Sequence, residues 1–446
     1  MTFKKYIILF LFLLISIRMS AQEAWTLDEC VSYALEHNLQ LNDFKYTMNS
    51  GKETYRQSVR NLLPSVNGSV DYNINYGRSE DPNTGGYVNT DFFSNNYAVN
   101  ASMDLFQGFQ KLNSIKASKF LYKAAMEDVQ QQKYLLAFRV MTAYYDIKFY
   151  EGLVINSIEQ AGISQTNYNL VKKQIELGLK AGADLYEAEA ALLGDQLLVT
   201  QNKNLLAASK LTLLQEMNLE NVEDIELTEE MDMIVTMDRN LDIDSVYNSA
   251  KEFIPLLKGQ ELRAKAAKKQ LAAARGLLSP SLSIFSGFGT GYFETNVDSL
   301  GILIPFNNQI KDNTSRYIGV SLNVPISNGW SGRSRVKQQK INMQRANNAV
   351  KIQEQELFQL IQQLVQENNA LKNEVKQSAK RMESQELAFT IAQKRYDKGL
   401  INALELFQAK NLFGTAQNEN LQVRLRLRVN EKTLDFYGGL PIFNIN

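Results

Sequence analysis

The chain has 446 residues, 44% hydrophobic and 22% charged, which excludes both a disordered chain and a polytopic membrane protein. Forty-eight Lys and Arg balance 48 Asp and Glu, which argues against a nucleic-acid binder built on bulk positive charge. One His and one Cys exclude a four-ligand His/Cys zinc site and an intrachain disulfide, and leave only His37 for a His-based triad.

Residues 1–21 run from Lys4 and Lys5 through an apolar stretch, Tyr6 to Ile17, to Arg18, Met19, Ser20 and Ala21. That order predicts a secretory signal peptide cleaved after Ala21, since an apolar run of about 12 residues is too short to span a bilayer. An uncleaved anchor is the alternative. Leu27-Asp28-Glu29-Cys30 spells a lipoprotein signal, but it lies past the apolar stretch and carries two acids, so lipidation of Cys30 is not expected.

The rest is one unit written twice. Residues 58–66 match 274–282, with Pro64 on Pro280; Ala34 falls on Ala250 and Leu41 on Leu257. Further on, Gly108 aligns with Gly329, Gly178-Leu179 with Gly399-Leu400, and Leu185 with Leu406. The first repeat occupies 22–219 and the second 242–440, with a tail at 441–446. Between them, 220–241 begins with an acidic run that reads as a solvated linker.

In the first repeat, Val66, Val70, Tyr72, Ile74 and Tyr76 alternate with Asn67, Ser69, Asp71, Asn73 and Asn75, a strand with one apolar and one wet face. Residues 97–105 repeat the pattern, so a hairpin is expected over about 65–106. Residues 110–176 then carry no proline and only Gly152 and Gly162, which predicts a helix of about 100 Å, followed by a return helix over 184–218. The second repeat predicts a hairpin over about 281–326, a helix over 333–398 and a return helix over 403–437. Gly287-Phe288-Gly289-Thr290-Gly291 lies in a strand with no helix after it, so no phosphate cradle is expected.

Strands of 9 to 12 residues suit a tilted crossing of an outer membrane. Tyr76, Tyr97, Tyr292 and Tyr317 mark the loop ends of the four strands, and Phe106 and Trp330 the helix ends of two, as membrane-interface aromatics would. Polar loops at 77–96 and 293–316 fit the extracellular side of a barrel. A pair of soluble hairpins is the alternative for the strands, and a fibrous coiled coil for the helices. Four strands cannot close a transmembrane barrel, so on the membrane reading the chain must oligomerise. The long helices carry narrow apolar seams, such as Leu357, Leu360, Ile361, Leu364 and Leu371, between wet faces, as the wall of a tube would.

The segments Gly178-Leu179-Lys180-Ala181-Gly182-Ala183-Asp184-Leu185 and Tyr396-Asp397-Lys398-Gly399-Leu400-Ile401-Asn402-Ala403-Leu404-Glu405-Leu406 join the long helices to their return helices. Together with Gly108, Gly329 and the duplicated layout, they resemble the TolC-type outer-membrane efflux channels over nearly the whole mature chain. The resemblance implies a mainly α fold with transmembrane β: a homotrimer whose strands form one twelve-stranded barrel, continued by a long periplasmic helical tunnel. It implies an exit duct without cofactors, served by a periplasmic adaptor (membrane fusion) protein and, indirectly, an inner-membrane transporter. Gly178, Leu179, Gly399 and Leu400 match the tips that meet the adaptor; an ordinary C-cap with its staple is the alternative reading.

Asp184 and Glu405 match acids at the periplasmic mouth, with Gln408 at the next ring position, which is often acidic in relatives. Each acid is alternatively a helix N-terminal charge. Tyr396 matches an aromatic that latches the closed state. Its usual basic partner position holds Ile401, so a constriction held by packing is expected. The competing function is a periplasmic coiled-coil adaptor or scaffold without a membrane barrel. The cargo is not legible.

Overall fold

The computed structural model describes residues 24–80, 85–89, 91–220, 222, 224–228 and 242–443. The expected signal peptide, most of the acidic linker and the end of the tail lie outside them. The elements follow the duplicated order. The first half has α1 (Leu27–His37), α2 (Leu39–Arg60), β1 (Ser65–Asn75), β2 (Arg78–Glu80), β3 (Tyr87–Asn89), β4 (Phe92–Gln107), α3 (Gln110–Glu176) and α4 (Gly182–Met217). The second has α5 (Ile243–Phe253), α6 (Pro255–Gly276), β5 (Ser281–Phe293), α7 (Phe306–Asp312), β6 (Ser315–Asn323), α8 (Ser331–Asp397) and α9 (Ala403–Tyr437). No helix among the described residues is long and apolar enough to cross a membrane.

Two compact units emerge. Among the described residues, one holds those up to Lys45, those of Asp128–Leu256 and those from Gln353 on; the other holds those of Tyr46–Glu127 and Leu257–Ile352. The second contains an antiparallel sheet of order β1-β4-β5-β6. Directly opposed residues share a face, so the register decides whether the four alternations agree. They do. Val66 opposes Ala101 and Val70 opposes Tyr97; Val99 opposes Phe288; Ile284 opposes Met103 on one side and Val320 on the other; Leu282 opposes Leu322. The apolar face is therefore continuous across the sheet, and Val66, Val70, Val99, Ile318, Val320 and Leu322 on it are all exposed.

Several boundaries differ from the sequence reading. Strand β4 begins at Phe92 rather than 97 and carries a bulge between Asp104 and Phe106, so that Phe106 joins the apolar face opposite Leu282. Strand β6 ends at Asn323 rather than 326, because Pro325 has no N–H for a ladder. The segment 293–316 contains α7, whose buried Gln309 accepts from Phe293 N (3.0 Å) and donates to Phe293 O (3.1 Å). With Asn313 Nδ2 donating to Gly291 O (2.9 Å), it caps the part of β5 that extends beyond β6.

The aromatics also fall differently. Tyr317 lies on the face opposite Ile318 and Val320, with its ring over Gly287 and its hydroxyl donating to Asn100 Oδ1 at 2.9 Å. Phe285 covers Gly319 reciprocally: a Cβ on either glycine would meet the opposing ring at 2.5 Å. These are aromatic rings filling the space glycine leaves in a sheet; within the run 287–291 this holds for Gly287, whereas a Cβ on Gly291 would meet the backbone carbonyl of Asn95 at 2.8 Å. Tyr97 pairs with Val70, well inside β4, because that strand starts earlier than the periodicity indicates. The aromatic row near the loop end is instead Tyr72, Phe93, Tyr292 and Phe306, with successive centroids 5.6, 5.1 and 5.4 Å apart; Tyr292 is buried within it. Tyr76 is exposed just past β1.

The helical unit is held by narrow seams. In α9 the buried residues Leu406, Phe413, Asn420, Leu427 and Leu434 recur every seven positions, with Lys410 between the first two and Asn430 between the last two. That is coiled-coil spacing. Leu357, Ile361, Val365, Asn368 and Leu371 form the buried seam of α8, each buried leucine contributing about 1.5–3 kcal/mol. Asn368 Nδ2 donates to Asn430 Oδ1 at 2.9 Å, a polar pair in the seam that fixes which turn meets which. Gly152 admits Leu421 to close contact.

Near the N-terminus, Thr26 and Glu29 form a capping box on α1, and Thr26 holds the Glu29 carboxyl below its usual range. Cys30 is fully buried, and burial pushes its thiol up to about 12, so the residue that spells a lipoprotein signal offers no accessible sulfur. The described part of the linker keeps its acids in solvent but is docked rather than loose: Glu220, Asp224 and Glu226 are exposed, while Trp25 N donates to Glu226 O (2.8 Å), Thr228 N donates to Trp25 O (3.0 Å), and Ile225 and Leu227 are buried.

Candidate functional site

Both long helices end in the same backbone motif. Gly178 has φ +72°, its N–H donates to Ile175 O (2.9 Å), and Leu179 N donates to Gln174 O (2.8 Å). Gly399 also has φ +72°, with Gly399 N on Tyr396 O (2.8 Å) and Leu400 N on Arg395 O (2.9 Å). These are Schellman caps, for which glycine supplies the left-handed residue at little cost. The residue after the glycine ordinarily packs back on the helix. Here Leu179 is 71% exposed and Leu400 65%, so neither acts as a staple. Each turn carries an apolar knob in solvent.

The acids Asp184 and Glu405 both occupy the third position of their return helices. Asp184 is half-buried and accepts from Ala181 N at 3.2 Å, supplying the cap that an alanine cannot. In the second turn Asn402 Oδ1 accepts from Glu405 N at 2.9 Å, which leaves the Glu405 carboxylate in solvent. Gln408 is exposed one turn on. The N-terminal-charge alternative thus describes Asp184 better than Glu405.

Tyr396 is buried against Ala403 and Leu406, with Phe389, Ala392, Ile401 and Phe407 around them. A base does reach it, from a place the sequence reading missed. Lys180, in the other turn, donates from Nζ to Tyr396 Oη at 3.0 Å and lies 4.8 Å from the ring centroid. The two turns are therefore joined by a charged contact, whereas Ile401 packs within the second turn's own cluster.

Farther along the return helices is a second junction that the sequence reading did not single out. Lys410 of α9 is 2% exposed, and its Nζ donates to Asp195 Oδ2 of α4 and to Ser164 Oγ of α3, the latter at 2.7 Å. Ser164 Oγ in turn donates to Asp195 Oδ2 at 2.6 Å. A buried cation needs such a complete set of acceptors. The available signal was a lysine in step with the α9 seam. At the corresponding position of the first repeat the residue is Glu189, so the cluster breaks the internal symmetry. No group of three or more His, Cys, Asp or Glu among the described residues is placed to hold a metal ion.

The described residues thus hold four strands in one open sheet with an exposed apolar face, and two long helices that each turn back into a return helix. The family model described as outer membrane efflux protein matches residues 30–218 and 246–440, and the chain belongs to that family. Among curated relatives, outer membrane protein TolC of Vibrio cholerae is 26% identical over 343 residues, covering 75% of this chain and 72% of that protein. Toxin and drug export protein A of Aggregatibacter actinomycetemcomitans is 22% identical over 294 residues, and the match covers 63% of this chain but only 62% of that relative. Among solved structures, the Campylobacter jejuni CmeC outer membrane channel superposes with a TM-score of 0.78 at 16% identity, over 93% of this chain and 85% of that one.

Proposed function

We propose that this protein is the outer-membrane channel of a tripartite efflux or secretion system, a passive duct for solutes that an inner-membrane transporter delivers through a periplasmic adaptor. The observation that carries the reading is the four-stranded sheet, with β1 and β6 as its edges and an apolar face left bare. Unpaired backbone groups at such edges cost several kcal/mol each in lipid, and further copies of the same sheet would satisfy them. Three copies would close twelve strands. A periplasmic scaffold has no use for a bare apolar sheet face, which disfavours the adaptor alternative.

On this reading the turns face the periplasm. Leu179 and Leu400 dock the adaptor, with Gly178 and Gly399 shaping the tips. Glu405, Asp184 and Gln408 line the mouth, and the Lys180–Tyr396 contact holds it closed. Opening separates the turns, a change between two packed arrangements rather than a chemical step. Cargo choice falls to the transporter. Carbonate extraction of outer membranes combined with planar-bilayer recording tests the assignment. The protein should resist extraction and conduct as an oligomer; release by carbonate would refute it.

A further inference from the structure

We infer that the cleft between β6 and α8 is a headgroup site for an anionic phospholipid; the inference rests on the membrane placement proposed above. The exposed apolar face of β6 runs through Val324 to Ile326, which is 95% exposed, and ends at this cleft of about 330 Å³. Leu278, Pro325, Ile326, Asn328, Trp330 and Arg333 line it. One wall is thus continuous with the surface assigned to lipid, and the other is polar and cationic.

Two observations point to the occupant. First, Trp330 has φ +64° and an exposed indole. A left-handed conformation is unfavourable for a bulky residue, and strain of this kind persists where the surroundings enforce it. Here it turns an amphipathic ring outward at the end of the apolar face, where such rings favour a lipid–water boundary. Second, the Arg333 guanidinium lies 4.5 Å from the Trp330 ring centroid, and no carboxylate among the described residues pairs with it.

The first repeat shows what is missing. There Phe109 has the same left-handed backbone, φ +60°, but the nearby cation Lys111 is neutralised by Asp104 at 2.9 Å and donates to Asn61 O at 2.8 Å. In the repeat alignment Pro325 stands where Asp104 does. Charge compensation is internal for Lys111 and, among the described residues, absent for Arg333. An amphiphile bearing a phosphate matches both walls: its phosphate meets the Arg333 fork, and its glycerol and first methylenes lie along Pro325, Ile326 and Leu278. Free phosphate would leave the apolar wall bare, and an apolar segment of a second copy would leave Arg333 uncompensated.

The test is native mass spectrometry of the full-length detergent-purified oligomer titrated with phosphatidylglycerol or phosphatidylcholine. The structure assigns tighter retention of phosphatidylglycerol, weakened roughly tenfold by Arg333→Gln and less by Arg333→Lys, with the oligomer intact. Equal retention by wild type and Arg333→Gln would overturn the site. So would displacement of the lipid by millimolar inorganic phosphate, or efficient crosslinking of Ile326→Cys to a second copy across the cleft. A protein that carbonate strips from outer membranes would defeat the channel reading itself, whereas loss of the lipid preference alone leaves membrane insertion unchanged.

Discussion

The two helical turns share one backbone and differ in nearly everything attached to it. Both glycines sit at φ +72° in the same pair of cap hydrogen bonds, and both following leucines stand in solvent. Yet the first turn caps its return helix with Asp184, while the second uses Asn402 and leaves Glu405 free. The first contributes the cation Lys180 and the second the buried Tyr396 that receives it. Duplication has kept what the backbone requires at a helix reversal. The side chains, whose partners come from elsewhere in the fold, have divided the roles between them.

The largest expected effect comes from the junction between the return helices, whose cation only the second supplies. Lys410→Met leaves the half-buried Asp195 without its cation and should cost about 3 kcal/mol, the low end for a broken buried pair, read as a drop in the denaturation midpoint. The double variant Lys410→Met/Asp195→Leu should recover much of that loss, because it removes both charges. If the single variant were as stable as wild type, the cluster would not hold the hairpins.

Next come the knobs. Leu179→Asp and Leu400→Asp should each weaken adaptor capture at least about tenfold, while stability stays within about 0.5 kcal/mol. Capture retained by both would place the contact elsewhere. A clear loss for only one would show that the two turns have also divided this role.

Smaller effects test what the turns share. Gly178→Ala and Gly399→Ala should each cost about 1–2 kcal/mol, equally, since φ is the same and no neighbouring atom lies within 4 Å of the added methyl. At the return helices the pair should diverge. Asn402→Ala should cost about 1 kcal/mol and Asp184→Ala about 0.3–1 kcal/mol, whereas Glu405→Gln should leave stability unchanged. In bilayers, Glu405→Gln should change cation block more than Asp184→Asn, because the Asp184 carboxylate is already engaged with Ala181 N.

The glycines of the long helices show where sequence reading stops. Gly152 and Gly162 look alike as interruptions of α3, but Gly152 admits Leu421 whereas Gly162 has open space around its Cα. Likewise, Tyr317 looks like a loop-end aromatic until its register places it opposite Gly287, across the wet face. The early start of β4 and its bulge depend on partners in β1 and β5, so the period-two pattern of 97–105 could not show them. Lys410 was visible as a lysine in an apolar seam, but its acceptors lie 215 and 246 residues away.

The sequence by itself determined the duplication, the alternation of four strands, the two long helices and the glycines at their ends. Each is a local property, a period or a backbone angle that the residues impose wherever they sit. Only the tertiary structure decided that the four alternations fall on one face, that Lys180 rather than residue 401 supplies the charged partner of Tyr396, and that Lys410 pins three helices together. Those outcomes depend on which distant segments pack together, and a buried charge or a sheet register acquires its meaning only from the partner it meets.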